Sequence, residues 1–169
     1  MHERPEDLTA LQHLIDDAYA NASAHLLSIH EPERRLNAAA VASTLTGMRL
    51  LVLATTTRDG RPITGAVDGV FYRGRFHFGS SPDSVRFRHI RERPEVSATH
   101  LPGEHLAITV HGTAEMIDVG APEHAEFRQT LLDIYLPRYG DAWLPILEGG
   151  TFARIHPRRM FTFAMSEAA

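Results

Sequence analysis

The sequence predicts a mainly β (α+β) fold, in which six antiparallel strands form a small closed barrel with flanking helices. Two observations carry this prediction. From residue 50 onward, segments of β-branched, aromatic and alternating apolar residues follow one another, and tight-turn sequences separate several of them. Helix-forming segments stand before the first strand, between the third and fourth, and after the fifth, which gives the flanking helices.

The first 48 residues predict a helical region that precedes the barrel. Residues 7–27 carry apolar side chains at helical spacing, which predicts one amphipathic helix. Residues 38–45 are strong helix formers and lead to Gly47, the residue type favoured just after a helix C-terminus. The predicted organisation is therefore a helical preface at residues 1–48, packed on the same domain, and a barrel domain at residues 49–169.

Three strands are predicted before the inserted helix. Residues 50–57 are rich in strand formers and stop at Arg58-Asp59-Gly60, a strong hairpin signal, so residues 63–72 are expected to be the antiparallel partner. A second tight turn at residues 72–75 leads into the third strand. In the second strand Gly65 and Gly69 share one face, which indicates either close approach by a ligand or backbone, or a twisted barrel strand. The other face carries Thr64, Ala66 and Asp68.

The third strand, at residues 76–79, runs directly into the start of a helix. Ser81-Pro82-Asp83 combines an N-cap, a first-turn proline and an acidic residue, which predicts a helix that begins near Pro82. The free N–H groups of a helix start attract anions, and nearby hydroxyls and Arg86 add donors. Ser80, Ser81, Ser84 and Arg86 therefore form a candidate phosphate cradle. The alternative is a capped helix whose arginines, Arg86, Arg88, Arg91 and Arg93, make a basic, solvated face.

The remaining chain predicts three more strands and two helices. Residues 94–101 and 105–116 form the fourth and fifth strands on either side of a turn at 102–104, and the order of the strands predicts a meander. Ala121-Pro122 opens a helix that Pro137 ends, and a shorter helical segment covers residues 142–147. Residues 151–155 and 160–165 form a final strand pair, or one bent strand broken at Pro157.

The composition is that of one globular domain. The chain has 169 residues, of which 43% are hydrophobic and 22% charged. It has no cysteine, which excludes disulfides and thiolate chemistry and indicates a cytoplasmic location. The first residues are polar and no segment holds eighteen uninterrupted apolar residues, so no export or membrane signal is predicted. A net charge of −4 argues against general nucleic-acid binding.

The sequence contains no familiar catalytic or metal-binding motif. None of the 11 histidines falls in a metal-ligand spacing such as His-Glu-x-x-His, so no metal site is predicted, and those around one hairpin are expected to be hydrogen-bonded surface residues. The chain also has no nucleophile elbow, Walker loop or dinucleotide fingerprint. Trp143 and three late phenylalanines, Phe152, Phe161 and Phe163, are expected in the core.

Four segments carry a resemblance when they are taken together in their order and spacing. They are LATTTRDGRP at 53–62, FHFGSSPDSVR at 76–86, RPEVSAT at 93–99 and ARIHP at 153–157. Over about residues 49–163, the chain resembles the pyridoxamine 5'-phosphate oxidase-like FMN-binding split-barrel family, including its flavin/deazaflavin oxidoreductase branch. The resemblance implies a six-stranded split β-barrel, a homodimer, and FMN bound at the subunit interface. Some relatives use the deazaflavin coenzyme F-420 instead, and others bind haem.

The resemblance also implies which residues bind the cofactor. Ser80, Ser84 and Arg86 match the positions that contact the phosphate, and residues 64–68 match the strand along the isoalloxazine ring and ribityl chain. The full predicted set is Thr64, Gly65, Ala66, Val67, Asp68, Gly79, Ser80, Ser81, Ser84, Val85 and Arg86. No catalytic residue is assigned, although His100, His111 and Asp68 are candidates for a general acid.

Departures from the family pattern narrow the expected function. The oxidase itself has two adjacent basic residues where this chain has Val85-Arg86, an arginine near Thr64, and a tryptophan near Gly150. Pyridoxamine phosphate oxidase activity is therefore not expected. The sequence predicts a flavin-dependent oxidoreductase that acts on an unidentified small molecule. The alternatives are a deazaflavin-dependent reductase, whose anionic coenzyme tail suits the arginines 86, 88 and 91, and a flavin- or haem-binding split barrel without turnover.

Overall fold

The computed structural model describes residues 1–165, and it shows a closed barrel of six antiparallel strands with helices packed around it. The predicted fold class is confirmed. The strands are β1 (Met48–Thr56), β2 (Pro62–Tyr72), β3 (Arg75–Ser80), β4 (Glu95–Gly103), β5 (Leu106–Ile117) and β6 (Thr151–Ala164). The hairpin between β1 and β2 turns at Gly60, whose φ of +84° is a conformation that suits glycine.

The order of the strands around the barrel is β1-β2-β3-β6-β5-β4, so the predicted meander is confirmed for β1 to β3 and for β4 to β6 but is wrong at the step from β3 to β4. β3 pairs with β6 and not with the next strand along the chain, while β4 closes the barrel by pairing with both β1 and β5. The physical reason lies in β6, which is 14 residues long and forms ladders with two strands at once. β6 is one strand with a register irregularity beside Pro157, which agrees with the second of the two predicted forms.

Six α-helices lie among the described residues. They are α1 (Pro5–Ala20), α2 (Ala24–Ile29), α3 (Ala38–Thr44), α4 (Val85–Glu92), α5 (Ala125–Tyr139) and α6 (Leu144–Gly149). The single helix predicted over 7–27 is wrong, because the chain breaks at Asn21 and starts again at Ser23, whose hydroxyl caps α2 by accepting from the Leu26 N–H at 3.2 Å. Pro137 does not end α5, since the Gly140 N–H still bonds to the Leu136 carbonyl.

Apolar side chains form two clusters. The larger fills the barrel and includes Leu11, Ile15 and Tyr19 of α1, which pack on the same core as the strands. The Tyr19 hydroxyl anchors this helix by donating to the Thr162 carbonyl at 2.6 Å. The smaller cluster lies between the outer face of the sheet and the helices that connect β5 to β6; its members are Val70, Ile117, Val119, Phe127, Leu131, Tyr135, Trp143, Leu147 and Phe152. None of the helices among residues 1–165 combines the length and the apolar character needed to cross a membrane.

Candidate functional site

A small hollow at the end of the barrel brings most of the predicted phosphate-binding residues together. We call it the Arg86 hollow; it has a volume of about 180 Å³ and lies between β2, the end of β3 and the start of α4. Its lining residues are Leu53, Thr55, Ile63, Thr64, Gly65, Ser80, Ser84, Val85 and Arg86. Six of these nine belong to the set that the sequence predicted. The other three, Leu53, Thr55 and Ile63, are strand residues that carried no sequence signal of a site.

Arg86 is held across this hollow by two polar contacts. Its guanidinium donates to the Ser80 hydroxyl at 3.3 Å and to the Ala66 carbonyl at 3.2 Å. No carboxylate among residues 1–165 forms an ion pair with it. The positive charge of Arg86 is therefore positioned but not neutralised by any of residues 1–165, which suits an anionic ligand.

Gly65 allows the guanidinium to lie this close to β2. A Cβ atom at this position would stand 3.3 Å from Arg86 Nη2, closer than a comfortable contact. The close approach that the glycines indicated is thus made by side chains of the protein: Arg86 at Gly65, and Leu51 at Gly69. Glycine at position 65 therefore lets the guanidinium take this position without a shift.

The helix that borders the hollow begins three residues later than the sequence indicated. Ser84 is its N-cap and accepts from the Phe87 N–H at 3.4 Å, whereas residues 81–84 form a turn closed by a bond from the Ser84 N–H to the Ser81 carbonyl. The prediction of a helix start near Pro82 is therefore wrong. The first two helical N–H groups, those of Val85 and Arg86, have no acceptor in the helix itself and stand at the hollow.

The other arginines of α4 differ in their availability. Arg91 donates to the Pro82 carbonyl at 3.0 Å and Arg93 donates to the Thr56 carbonyl at 2.9 Å, so both fasten the helix to the turn and strand beside it. Arg88 is exposed and lines neither of the hollows described here. The basic face predicted as an alternative is thus only partly solvated, because two of its members have structural contacts.

A second hollow adjoins the first and shares Ser80 with it. We call it the Trp143 hollow; its volume is about 410 Å³, and it lies between the outer face of β2, β3 and β6 and the helices that follow β5. Its walls are Asp68, Gly79, Ser80, Ser81, Pro82, Tyr135, Trp143, Pro145, Ile146, Gly149, Gly150 and Phe152. The sequence expected Trp143 and Phe152 in the core, and both are buried, yet each also forms part of a wall.

Besides the serine hydroxyls at its edge, this largely apolar hollow contains Tyr135 and Asp68. Tyr135 is 5% exposed and stacks on Trp143, with ring centroids 4.5 Å apart. Burial first, and then the negative charge of Asp68, raise the pKa of the Tyr135 hydroxyl, which therefore stays protonated at neutral pH. The Asp68 carboxylate is half-buried and has no ion-pair partner in the described part of the chain.

Some of the residues predicted for the site lie elsewhere. Val67 is buried inside the barrel and lines neither hollow. His100 is buried at the inner face of β4, within 2.9 Å of the Leu50 carbonyl, and His111 lies on the outer face of β5 against the Ser97 hydroxyl. Of the three candidates for a general acid, Asp68 alone lines a hollow. Over residues 1–165, no group of three histidine or acidic side chains is arranged to hold a metal ion.

A larger cleft on the far side of β3 is rich in charge of both signs, and several of its charged residues form ion pairs. It has a volume of about 600 Å³. Arg73 pairs with Asp7, and hydrogen bonds from Arg154 and His156 lower the pKa of Glu115 to about 2. A cleft in which charges of both signs pair in this way is a weaker candidate for binding an anionic cofactor than the Arg86 hollow.

Comparison with known proteins identifies the fold. No family model matches the sequence, and no curated protein does. Solved structures do match. The conserved hypothetical protein Rv2991 from Mycobacterium tuberculosis has 22% identity and a TM-score of 0.66, over 82% of this chain and 96% of its own. An FAD-binding protein from Mesorhizobium loti has 23% identity and a TM-score of 0.60, over 79% and 98%.

Two further matches have different functions in their names. HutZ, the haem storage protein from Vibrio cholerae, has 17% identity and a TM-score of 0.58 over 68% of this chain and 86% of its own. An F420 reductase has 19% identity and a TM-score of 0.52, over 70% and 93%. This chain is a split β-barrel. The fold that the resemblance implied is confirmed, while the identities, all below 25%, leave cofactor and activity to be argued from the site.

The hollows of this split barrel fit part of a flavin nucleotide. The Arg86 hollow can take a phosphate group and is too small for a whole flavin. It offers an unpaired guanidinium, serine hydroxyls and two helix N–H groups, which together are a phosphate-binding set. The rest of a flavin would have to lie along Thr64 and Asp68 of β2, towards the Trp143 hollow or towards a second chain.

Proposed function

We propose that this split barrel is an FMN-dependent oxidoreductase that acts on a small molecule. The observation that carries the proposal is Arg86: its guanidinium is held by Ser80 and Ala66 and faces a phosphate-sized hollow at the start of a helix. The similarity to structures named as FAD-binding and as an F420 reductase supports a flavin-type cofactor. The departures from the oxidase pattern at Thr64 and Val85 argue against pyridoxamine phosphate as substrate.

Different residues of the site would bind different parts of the cofactor. Arg86, Ser80 and Ser84, with the N–H groups at the start of α4, would bind the phosphate. The β2 residues from Thr64 to Asp68 would lie along the ribityl chain and ring. Bound FMN supplies the hydride chemistry, whereas the protein orients it and excludes water. Hydride transfer needs no acid from the protein, so the proposal assigns no catalytic residue.

Two other functions remain as alternatives. Deazaflavin coenzyme F-420 has a long anionic tail, but Arg91 and Arg93 are bonded to backbone carbonyls, which leaves Arg88 as the exposed arginine of α4 for such a tail. A flavin- or haem-binding protein without turnover would agree with the similarity to HutZ. Neither alternative explains the phosphate-sized hollow at Arg86 better than FMN does.

The deciding experiment is the identification of the ligand. Mass spectrometry and visible absorption of the freshly purified protein should show FMN, and apo protein should bind FMN, F-420 and haem in that order of affinity. Reduction of the bound flavin by a nicotinamide or another electron donor would support an enzyme. Tight binding of haem with no flavin binding would overturn the proposal, and stoichiometric FMN that no donor reduces would favour a carrier.

We also propose that the protein works as a homodimer. Leu50, Val52 and Leu101 lie on the outer face of β1 and β4 and are 60%, 50% and 58% exposed. An exposed apolar surface of this kind is typical of an interface, and the family resemblance implies a homodimer with FMN at the subunit interface. Light scattering should give twice the chain mass of 18.8 kDa. Val52→Glu should produce a folded monomer, and a monomeric wild-type protein would refute this part.

The cytoplasmic location remains part of the proposal. It rests on the lack of cysteine and therefore of disulfides, which are rare in proteins of a reducing compartment. Fractionation of the source cells would test it, and recovery from an exported fraction would contradict it.

A further inference from the structure

The Trp143 hollow contains two polar groups that no other part of the described chain satisfies. The Tyr135 side chain is 95% buried, and its hydroxyl, which is open to the hollow, makes no hydrogen bond with any of residues 1–165. Asp68 lines the same hollow with an unpaired carboxylate. A hydroxyl and a carboxylate that have no partner in the described chain can bond to a ligand that brings complementary polar groups.

We propose that the Trp143 hollow is the substrate site and that it selects flat aromatic molecules with an amine, amidine or other N–H-rich cationic group. The inference rests on the proposed function and names the class of its substrate. The hollow shares Ser80 with the Arg86 hollow and contains Asp68, at the end of the β2 segment along which the flavin would lie, so such a molecule would stand beside the cofactor. The two hollows have opposite polarity, because one has the free guanidinium of Arg86 and the other has the free carboxylate of Asp68.

The walls explain the flat, apolar part of this ligand. Trp143, Phe152, Ile146, Pro145 and Pro82 give the hollow its mostly apolar surface, against which an aromatic ring loses water and gains contact. The indole is held in place because Tyr135 stacks on it almost in parallel, at an interplanar angle of 9°. The hollow therefore presents fixed surfaces to a ring.

The polar groups explain the cationic part. Asp68 attracts positive charge and N–H donors, and a half-buried carboxylate repels carboxylates and phosphates more strongly than an exposed one does. The Tyr135 hydroxyl adds one donor or acceptor beside it. Anionic substrates are thus excluded from this hollow, although an anion is favoured in the adjacent one.

Trp143 is the one tryptophan of the chain, so its fluorescence reports directly on this hollow. Benzamidine and benzoate are suitable probes because they share a ring and differ in charge. In apo protein excited at 295 nm, benzamidine should change the emission saturably, and benzoate should bind at least ten-fold more weakly. Equal binding of the two probes, or no saturable change with benzamidine, would overturn the assignment.

Two variants show whether Asp68 causes the selectivity. Asp68→Asn keeps the shape and removes the charge, and it should weaken benzamidine binding at least ten-fold while benzoate binding rises or stays the same. Glu148→Gln is the matched control, because it removes one negative charge from the exposed surface of α6 outside the hollow. An equal effect of both variants would mean that general charge and not Asp68 attracts the probe.

FMN and benzamidine are measured separately, so failure of the proposed function can be told from failure of this inference. Benzamidine should bind FMN-saturated protein in calorimetry about as well as apo protein. Protein that binds FMN and, once loaded, no benzamidine would overturn the substrate site and give the hollow to the flavin ring. Protein that binds benzamidine through Asp68 but no flavin would overturn the proposed function and leave an amine-binding hollow.

Discussion

The Arg86 hollow and the Trp143 hollow share Ser80, but they are built in different ways. The first is made by residues between Leu53 and Arg86, which three adjacent strands and one helix bring together over a short stretch of chain. The second joins β2 and β3 to residues 135–152, which meet them only when the helices after β5 fold back onto the sheet. One hollow depends on local turns and polar contacts, and the other depends on long-range packing.

This difference predicts whether a mutation at each hollow should reduce the stability of the protein or its binding of phosphate. A change in the second cluster should cost stability before it costs phosphate binding, because that cluster holds the helical insertion on the sheet. A change at Arg86 should cost binding with little loss of stability, since its contacts are partly exposed hydrogen bonds. The predictions below test this division, from the largest expected effect to the smallest.

Trp143→Ala should destabilise the protein by about 3–5 kcal/mol, because it removes a large buried ring and leaves a cavity beside Tyr135. Urea denaturation followed by far-UV circular dichroism measures this loss. Trp143→Phe keeps a ring in place and should cost clearly less. A loss below about 1 kcal/mol for the alanine variant would show that the insertion does not depend on this packing.

Arg86→Ala should weaken FMN binding by about 1.5–3 kcal/mol, or about 10- to 150-fold, because a charge-assisted contact to the phosphate is lost. Riboflavin has no phosphate and should bind with nearly unchanged affinity. Arg88→Ala is the control, since Arg88 lies exposed on the same helix. Calorimetry at one salt concentration measures the affinity for both ligands. Equal losses of affinity for FMN and riboflavin would place the phosphate elsewhere.

Acid should weaken the packing of α5 on the sheet, because His77 lies between them and takes up a proton. Burial lowers the pKa of His77 to about 3, and its ring packs on Phe127 of α5 with centroids 4.3 Å apart. The unfolded chain takes up this proton near pH 6.5, so the stability that His77 contributes is full above that pH and is lost as pH falls towards about 3. The expected loss is about 2 kcal/mol between pH 7 and pH 5.

His77→Phe isolates this effect, because all other groups still titrate in the variant. Its free energy of unfolding should fall less steeply with decreasing pH than that of the wild-type protein. Parallel curves for the two proteins would mean that His77 accepts its proton in the folded state without cost. Trp143 fluorescence followed in the same titration shows whether the helical insertion responds first.

Gly65→Ala should have the smallest effect, a loss of about 1 kcal/mol in FMN binding, because the new Cβ pushes on the guanidinium of Arg86. Gly149→Ala provides the comparison, since a Cβ there meets no atom within 4 Å. Affinity for riboflavin should change less than affinity for FMN in the Gly65 variant. Unchanged FMN binding would show that Arg86 can move aside without leaving the phosphate.

The sequence predicts features that depend on local segments, such as the Arg86 hollow, better than features that depend on long-range packing, such as the Trp143 hollow. The barrel, the first hairpin and the nearness of Ser80, Ser84 and Arg86 depend on alternation, turn residues and a capped helix, and these signals lie within short segments. The helix start was predicted too early because three serines within five positions offer similar caps, and only the turn closed at Ser81 decides in favour of Ser84.

The Trp143 hollow could not be predicted in this way. Its walls come from β2, β3, α5, α6 and β6, and the pairing of β3 with β6 is what brings Gly79 next to Phe152. A sequence pattern states which face of a strand is apolar but not which distant strand lies beside it. Trp143 and Tyr135 therefore gave the signal of ordinary core residues, and their position at a hollow became visible only in the folded chain.

The place of β6 in the barrel also has a consequence for how the chain folds during its synthesis. One edge of β3 and one edge of β5 have no neighbour until β6, the last of the six strands along the chain, has left the ribosome. Until then both edges are open to pairing with strands of other nascent chains. Folding must wait for contacts that are distant in sequence, and such contacts form slowly. We expect the nascent chain to depend on chaperones that shield strand edges, up to the moment at which its final strand closes the ring.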